Sequence, residues 1–570
     1  MVRSLRRSKV PLSLSQSLQS SRSWQQRQSV SEYANKHNIP SSHPLLDHQL
    51  SQAHPKDDPC TYTGGRWLHR DKLQRDCRRI QFSFPALCDR VIHLSPGATN
   101  VAKYEKKEGG FNRVFIFTMD TGSRIVARLP TSIAGPPRLT TNSEVATMTY
   151  LRSKLSLPTP KLLDWSDDPA NPIGTEYIIQ EHVEGVQLHQ VWPDMNSEQH
   201  MLCSKALSLA IKQMASLDFP AYGSLYFSDA PLEEQTKIPL EQGFCVGPNC
   251  SPVFWNRNPG ELELYGGPSP NCGPWRDLTS YCTGLIETGF YRLPKEEHAK
   301  CSLPHQGAIQ DHVQLLNISQ EVMQRLIEDK RIQDAAAPAL VHPDFHKRNI
   351  YVSAEDPTVI TGIIDWQSTS IEPSFIYANE TPDFATPPQD IEGDIFENRE
   401  GESTPVQTEK ERKDASICYQ TYDVCMKGLT PKLRPTRLLD PTLFRLFHYT
   451  HTTWRDSATA IRQELIELSD RWSELGLHGT CPFSLTDEER NKHAKDYEDF
   501  EAVQSLKLWL KRSLNTNSDG WVPNEAWDAA RDAHRAAYDY WIQTAREYED
   551  RGEDGMTVEK AERLWPFDAR

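Results

Sequence analysis

Residues 340–352 read LVHPDFHKRNIYV, and within them His342, Asp344, His346 and Asn349 form an H-x-D-x-H-x-x-N pattern. Asp365 follows sixteen positions after Asn349, near the end of VITGIIDWQ. Phosphoryl transfer needs this combination. A carboxylate must orient or accept the proton of an attacking hydroxyl, and hard oxygen ligands must hold magnesium over the β- and γ-phosphates of a nucleotide. Asp344 fits the first role, and Asn349 with Asp365 fits the second. His342 and His346 are expected to hydrogen-bond the loop backbone, because magnesium prefers oxygen ligands to imidazole. Lys347 and Arg348 gain no role from the pattern.

Short apolar runs must position these groups. Ile350, Tyr351 and Val352 follow Asn349 directly, and the mostly apolar residues 359–364 read as a buried strand delivering Asp365 at its end. Upstream, AKYEKKEGGFNRVFIFTMDTGSRIVARL predicts strand, glycine loop, strand, tight turn and strand, with Asp120-Thr121-Gly122-Ser123 as the turn. Gly109 and Gly110 lie between the first two strands, where glycines let backbone amides approach phosphates closely. A Gly-Gly hairpin also serves as a plain turn, and this one is not GxGxxG. In TTNSEVATMTYLRSKLSLPTP, Val145, Met148, Leu151 and Leu155 fall at helical spacing, with Asn142 or Ser143 as cap and Pro158 beyond the end. Glu144 then lies in the first turn, where it either complements the helix dipole or holds a cation on the neighbouring strand, with Arg128 as the candidate. TEYIIQEHVEGVQL predicts a strand over residues 177–183, with Glu184-Gly185 as a hinge to a mainly helical region.

The chain has 570 residues, enough for more than one domain, and a formal charge of −15. That acidity argues against a nucleic-acid partner, which calls for a basic excess. The mean hydropathy is −0.63, and no run of about 18 apolar residues predicts a membrane span. Of the 12 cysteines, Cys245, Cys250, Cys272 and Cys282 lie closest together, without the paired spacing of a zinc site, and are expected to be reduced, partly buried thiols. Residues 1–31 contain no Asp or Glu but carry Arg3, Arg6, Arg7, Lys9, Arg22 and Arg27 among many Ser and Gln. This is the composition of a mitochondrial transit peptide, and no continuous apolar stretch marks a secretory signal. A basic tail with no address is the alternative. Residues 41–59, rich in Pro, His and Asp, read as a linker.

The ordered set of hairpin strands, helix with Glu144, hinge strand, H-x-D-x-H-x-x-N and IIDW resembles the aminoglycoside phosphotransferase and choline kinase-like family. Protein kinases proper fit worse, since Trp366-Gln367 follows Asp365 and no Ala-Pro-Glu closes an activation segment. The phrases EGGFNRVFIFTMDTG, VARLPTSIAGPP, NPIGTEYIIQEHVEGVQL and YGSLYF look like a narrower fungal branch typified by altered inheritance of mitochondria protein 9. The resemblance covers about residues 95–385, and the tail more thinly. It implies an α+β, bilobal, protein-kinase-like fold with a small β-rich lobe and a large mainly helical lobe. It also implies ATP and Mg2+ as cofactors and a small-molecule hydroxyl or amine acceptor of unknown identity. Carried over by residue, Asp344 is catalytic, and Asn349 and Asp365 are metal ligands. Gly109, Gly110, Phe111 and Asn112 cover the phosphates, Arg128 and Glu144 form the cofactor-side ion pair, and Gln180, Glu181 and His182 face adenine through the backbone. The family's strand lysine is Arg128 here, which keeps the charge but not the shape.

The expected organisation is a transit or disordered segment over 1–40, a linker and N-terminal extension over 41–94, a nucleotide-binding lobe over 95–183, a catalytic lobe over 184–425 and a helical extension over 426–570. In the Gly-, Pro- and Trp-rich insertion over residues 243–282, Trp255 and Trp275 are expected to be packing anchors, with a lining role at the acceptor site as the alternative. The acidic, Pro-rich stretch over 379–414 reads as a loop. AIRQELIELSDRWSELG and AWDAARDAHRAAYDYWIQTAREYEDRG read as helices packing on the large lobe. Arg128, the thin glycine loop and the large extension keep open a second reading, a non-catalytic kinase-fold protein supporting mitochondrial maintenance.

Overall fold

The computed structural model describes residues 58–567, except 242, 256–270, 296–302, 304, 378–379, 389–408, 515, 518 and 552–556. The segment expected to be a transit peptide, the expected linker up to residue 57, and parts of the insertion and of the acidic stretch lie outside the described residues. Ahead of the five-stranded sheet come β1 (Gly65–Trp67), α1 (Asp71–Asp76) and α2 (Phe84–His93). The Ser83 hydroxyl caps α2 by accepting the Ala86 N–H, and Pro85 sits in the first turn, where its missing N–H is not needed. Leu87 and Val91, one turn apart, give α2 its buried face.

That face packs on a five-stranded antiparallel sheet in the order β2-β3-β4-β6-β5. Its strands are β2 (Val101–Glu108), β3 (Asn112–Met119), β4 (Arg124–Pro130), β5 (Leu162–Ser166) and β6 (Tyr177–Glu181). Phe115, Phe117, Ile125, Ala127, Leu129 and Ile179 form the lobe's core with Leu87 and Val91. The strand expected over residues 177–183 therefore ends at Glu181, and β7 (Val186–Gln187) starts the second lobe. Between β4 and β5 lies α3 (Leu139–Lys154), which begins earlier than its expected caps. Asn142 and Ser143 lie inside the helix and are buried, so Glu144 is in its second turn. Asn142 instead donates to Asp167 (3.1 Å) and accepts from the Phe227 N–H (3.3 Å). A side chain engaged in tertiary contacts of this kind does not mark a helix start.

The large lobe contains α4 (Ser197–Ala215), with a capping box between Asn196 and Gln199, and a three-stranded sheet in the order β8-β10-β9. The strands of that sheet are β8 (Ser224–Phe227), β9 (Ile238–Glu241) and β10 (Phe244–Gly247). Then follow α5 (Leu278–Tyr291), α6 (Ile309–Ile327) and four short strands, β11 (Pro338–Leu340), β12 (Ile350–Val352), β13 (Ile360–Ile363) and β14 (Ile371–Pro373). Trp275 is 2% exposed, packs on Phe254 and Tyr281, and donates to Asn271. The Trp255 indole N–H donates to the Asn249 carbonyl at 2.7 Å. Both tryptophans are packing anchors.

Beyond the acidic stretch, α7 (Glu409–Val424) lies on α4, and α8 (Ala458–Asp470) packs with α5 and α6 in the large-lobe core. The tail departs from expectation after that. Leu506 and Leu510 of α9 (Asp487–Ser513), with Leu514 just after it, pack with Val522, Trp527 and Leu68. The strand β15 (Trp521–Pro523) pairs antiparallel with β1 in the register Gly65↔Pro523, Arg66↔Val522 and Trp67↔Trp521. The last long helix, α10 (Trp527–Asp550), follows it. Three-residue strands carry no periodicity to read, which is why this pairing is invisible in the sequence.

Candidate active site

The strands β12 and β13 form an antiparallel pair with Ile350 opposite Ile363. The Ile364 N–H donates to the Asn349 carbonyl at 2.9 Å, so Asn349 and Asp365 leave the pair at the same end. Asp365 has φ 68°, a left-handed conformation that costs a non-glycine residue about 1–2 kcal/mol. Its neighbours hold it there. Trp366 is fully buried and donates its indole N–H to the Ile363 carbonyl at 2.9 Å. His342 reaches the Ile364 carbonyl through Nε2 at 2.9 Å.

Asp344 precedes Asn349 by one tight turn, and the two are joined directly. Asn349 Nδ2 donates to the Asp344 carbonyl (3.0 Å) and to Asp344 Oδ2 (3.1 Å). His346 Nε2 also contacts Oδ2, at 3.0 Å. Two donors thus fix one carboxylate oxygen, Asn349 acting through its side-chain nitrogen. His342 behaves as expected of a loop scaffold. Its Nδ1 accepts the Asp344 N–H at 3.1 Å, so Nε2 carries the proton, and burial lowers its pKa and favours the neutral ring. His346 departs from expectation, because it holds the Asp344 carboxylate rather than backbone.

The other lobe supplies Arg128 and Glu144. Arg128 on β4 is buried; its Nη1 pairs with Glu144 on α3, and its Nη2 lies 2.6 Å from Asp365 Oδ1. The expected ion pair is present and extends across the cleft, because a guanidinium fork can serve two carboxylates where an ammonium is a single point charge. Burial pushes the Glu144 carboxyl above its usual range, and the Arg128 guanidinium pulls against it.

The glycine loop closes on itself and on the second lobe. The Gly109 N–H donates to the Asn112 carbonyl at 2.9 Å, and Asn112 Nδ2 pairs with the side chain of Gln367, two residues beyond Asp365. Gln367 Nε2 donates to the Ala134 carbonyl at 3.1 Å, and Thr131 holds the Phe111 carbonyl through its N–H (2.8 Å) and hydroxyl (2.9 Å). Gln180 sits opposite Val126, two positions from Arg128 along β4, with its side chain buried. The N–H of Glu181 is engaged by the Lys161 carbonyl (2.9 Å), and that of His182 by the Arg124 carbonyl (3.4 Å).

Several residues at the site escape sequence reasoning. Gln367 has only its adjacency to Asp365 as a signal. Lys347 places its ammonium 4.9 Å from the Trp192 ring centre, and its N–H donates to Asp383 at 3.0 Å, fastening the loop over residues 342–349 to flanking segments. Glu372 lies on β14 opposite Ala339 of β11, the strand that leads into the loop over residues 342–349. It is fully enclosed, accepts from Asn249 Nδ2 at 2.6 Å, and burial pushes its carboxyl up to about 7. A carboxyl raised by folding stabilises fully below its unfolded pKa, and that contribution is lost as pH rises through the folded value. The wild-type chain should therefore lose stability relative to Glu372→Gln between the ordinary carboxylate range and about pH 7, by about 3 kcal/mol at most. Urea midpoints of both proteins across that range check this, and parallel pH profiles would count against it.

The eleven described cysteines are free thiols, and among the described residues no cluster of His, Cys, Asp and Glu is arranged to hold a metal by protein ligands alone. Among the described residues, no helix is long and apolar enough to cross a membrane. Residues 268–374, which include Asp344, Asn349 and Asp365, match the model of the phosphotransferase enzyme family. The subtelomeric hrmA-associated cluster protein of Aspergillus fumigatus is 28% identical over 75% of this chain and 90% of its own length. Altered inheritance of mitochondria protein 9, mitochondrial, is 22% identical in Lachancea thermotolerans and 23% in Saccharomyces cerevisiae. Each alignment covers 82% of this chain, with 87% and 86% of the relatives. The solved structure of aminoglycoside phosphotransferase APH(4)-Ia aligns over 67% of this chain and 97% of its own, at 15% identity and a TM-score of 0.35, too distant to carry an argument. The mitochondrial placement read from the amino terminus is shared by the altered-inheritance relatives. With a bilobal α+β fold and this hairpin at its centre, the chain resembles the phosphotransferase enzyme family over residues 268–374 and is similar along most of its length to the fungal altered inheritance of mitochondria protein 9.

Proposed function

We propose that the chain is a mitochondrial phosphotransferase that moves the γ-phosphoryl group of ATP, with Mg2+, to a hydroxyl or amine of a small molecule. The observation that carries this is the convergence of Asp344, Asn349 and Asp365 on one short hairpin, opposite the Arg128–Glu144 pair. The donor set fits magnesium. Asn349 and Asp365 offer hard oxygens, and two protein ligands suffice for an ion that keeps waters and takes phosphate oxygens. Bound magnesium would supply charge neutralisation at the β- and γ-phosphates. Asp344 accepts the acceptor's proton as the new bond to phosphorus forms and the bond to the ADP oxygen breaks. His346 and Asn349, both on Oδ2, orient the carboxylate so that Oδ1 faces the proton. Arg128 provides fixed positive charge beside the phosphates, and Glu144 holds it in place.

The test is direct. Mg-ATP at a hundred times its Kd adds about 2.7 kcal/mol to stability, a rise in unfolding temperature that Mg2+ alone should not give. No rise, together with no turnover of any hydroxyl or amine acceptor in a broad screen, would sink the reading.

A further inference from the structure

The glycine loop is held from behind by residues that no phosphate-binding pattern includes. Arg78, in the N-terminal extension, donates from Nε to the Gly110 carbonyl at 3.1 Å. Its Nη1 is anchored on Gln74 by the backbone oxygen (2.8 Å) and the side-chain oxygen (2.7 Å). Both flanks of the loop join the same network. Glu108, the last residue of β2, pairs with Arg113 of β3 at 3.3 Å and accepts the Thr63 N–H at 2.8 Å. Arg113 also donates to the carbonyls of Pro59 (2.6 Å) and Arg78 (3.0 Å). Arg78, Arg113 and Glu108 are 3%, 1% and 5% exposed, so none can swing away without a larger opening.

The network continues into the tail. The Arg78 guanidinium stacks 4.5 Å over the ring of Trp67, whose indole N–H donates to Asp519. The Trp521 indole donates to the Tyr62 hydroxyl at 2.9 Å, and β1 and β15 pair alongside. A continuous path of buried contacts therefore runs from residues 519–521 to the peptide of Gly110. A two-glycine loop has much backbone freedom, and its amides serve a phosphate well only if that freedom is removed beforehand. A peptide whose carbonyl oxygen is bound by a buried cation cannot present that oxygen to an anion.

We propose that the N-terminal extension and the tail form a clasp that positions the glycine loop for nucleotide phosphates, with Arg78 as the positioning residue; this rests on the nucleotide reading above. Calorimetric titration of the full-length chain with Mg-ATP and with adenosine tests it. Arg78→Met should weaken Mg-ATP about tenfold and adenosine less than about twofold, since the lost contact bears on the phosphate loop alone. Arg78→Lys, which keeps a cation for Gly110 and Trp67, should recover much of the loss. Asp519→Asn should act in the same direction through Trp67. In the ligand-free protein it should also speed hydrogen exchange of the Gly109 amide, a measurement that decides the matter even if Arg78→Met does not fold. Equal losses for ATP and adenosine, or unchanged ATP affinity in Arg78→Met, or unchanged Gly109 exchange in Asp519→Asn, overturns the clasp. A wild-type chain that binds neither ligand overturns the nucleotide reading and the clasp with it.

Discussion

Asp344→Asn is expected to lower phosphotransfer about 10²–10⁴-fold while leaving Mg-ATP affinity within about threefold of wild type. The asymmetry follows from the geometry. An asparagine oxygen can still receive the donors from His346 and Asn349 that now meet Asp344 Oδ2, and the backbone carbonyl that holds Asn349 is untouched. What disappears is the capacity to take up a proton. Single-turnover assays with titration of Mg-ATP separate the two quantities. The same variant also separates catalysis from scaffolding in the cell. A non-catalytic kinase-fold protein would leave the cellular phenotype intact after the Asp344→Asn substitution, whereas an enzyme would not. Turnover unchanged by the substitution would remove Asp344 from the mechanism.

Arg128→Met should cost about 3–5 kcal/mol of stability, because it leaves the buried Glu144 without its cation. Asp365 adds less to that loss, since its side chain is 41% exposed and water screens it. The size of the defect depends on pH. With the guanidinium gone, burial and the nearby Asp365 carboxylate act on Glu144 unopposed and push its carboxyl further up. The protonated form is then the one the fold accepts, so the variant is least impaired in acid, and its deficit widens as pH rises through the raised value. Urea unfolding of both proteins at several pH values measures this. A deficit under about 1 kcal/mol, or one that does not change with pH, would show that Arg128 is not the partner that makes Glu144 tolerable.

The parts of the site that share a short stretch of chain are legible in the sequence. Asp344, Asn349 and Asp365 fall within one hairpin and its preceding loop, and their spacing encodes their proximity. The Arg128–Glu144 pair is legible because a strand and the next helix are neighbours along the chain. Its extension to Asp365 is not, since it depends on the approach of two lobes. The expected start of the helix carrying Glu144 falls too late because Asn142 and Ser143 are good caps in isolation, yet tertiary contacts bury them within the helix. For His346 the sequence points to backbone, but its ring can reach either backbone or carboxylate, and only the loop's turn decides. Arg78, Glu372 and the β1–β15 pairing have no local signature at all. Each acquires its meaning from a residue more than a hundred positions away, or from burial that composition does not reveal.

The pairing of β1 with β15 also bears on how the chain is made. Trp67 and Asp519 are 452 positions apart, so the contact behind the glycine loop is among the most non-local in the protein. Contacts at such separation form late, after the segments between them have collapsed. A chain made from the amino terminus onward presents the whole five-stranded sheet long before residues 519–523 arrive. During that interval the loop has its glycines and its hairpin but not the tail behind them. On the clasp proposed above, a carboxy-terminal truncation that spares every residue of the candidate site would leave the glycine loop permanently without that support.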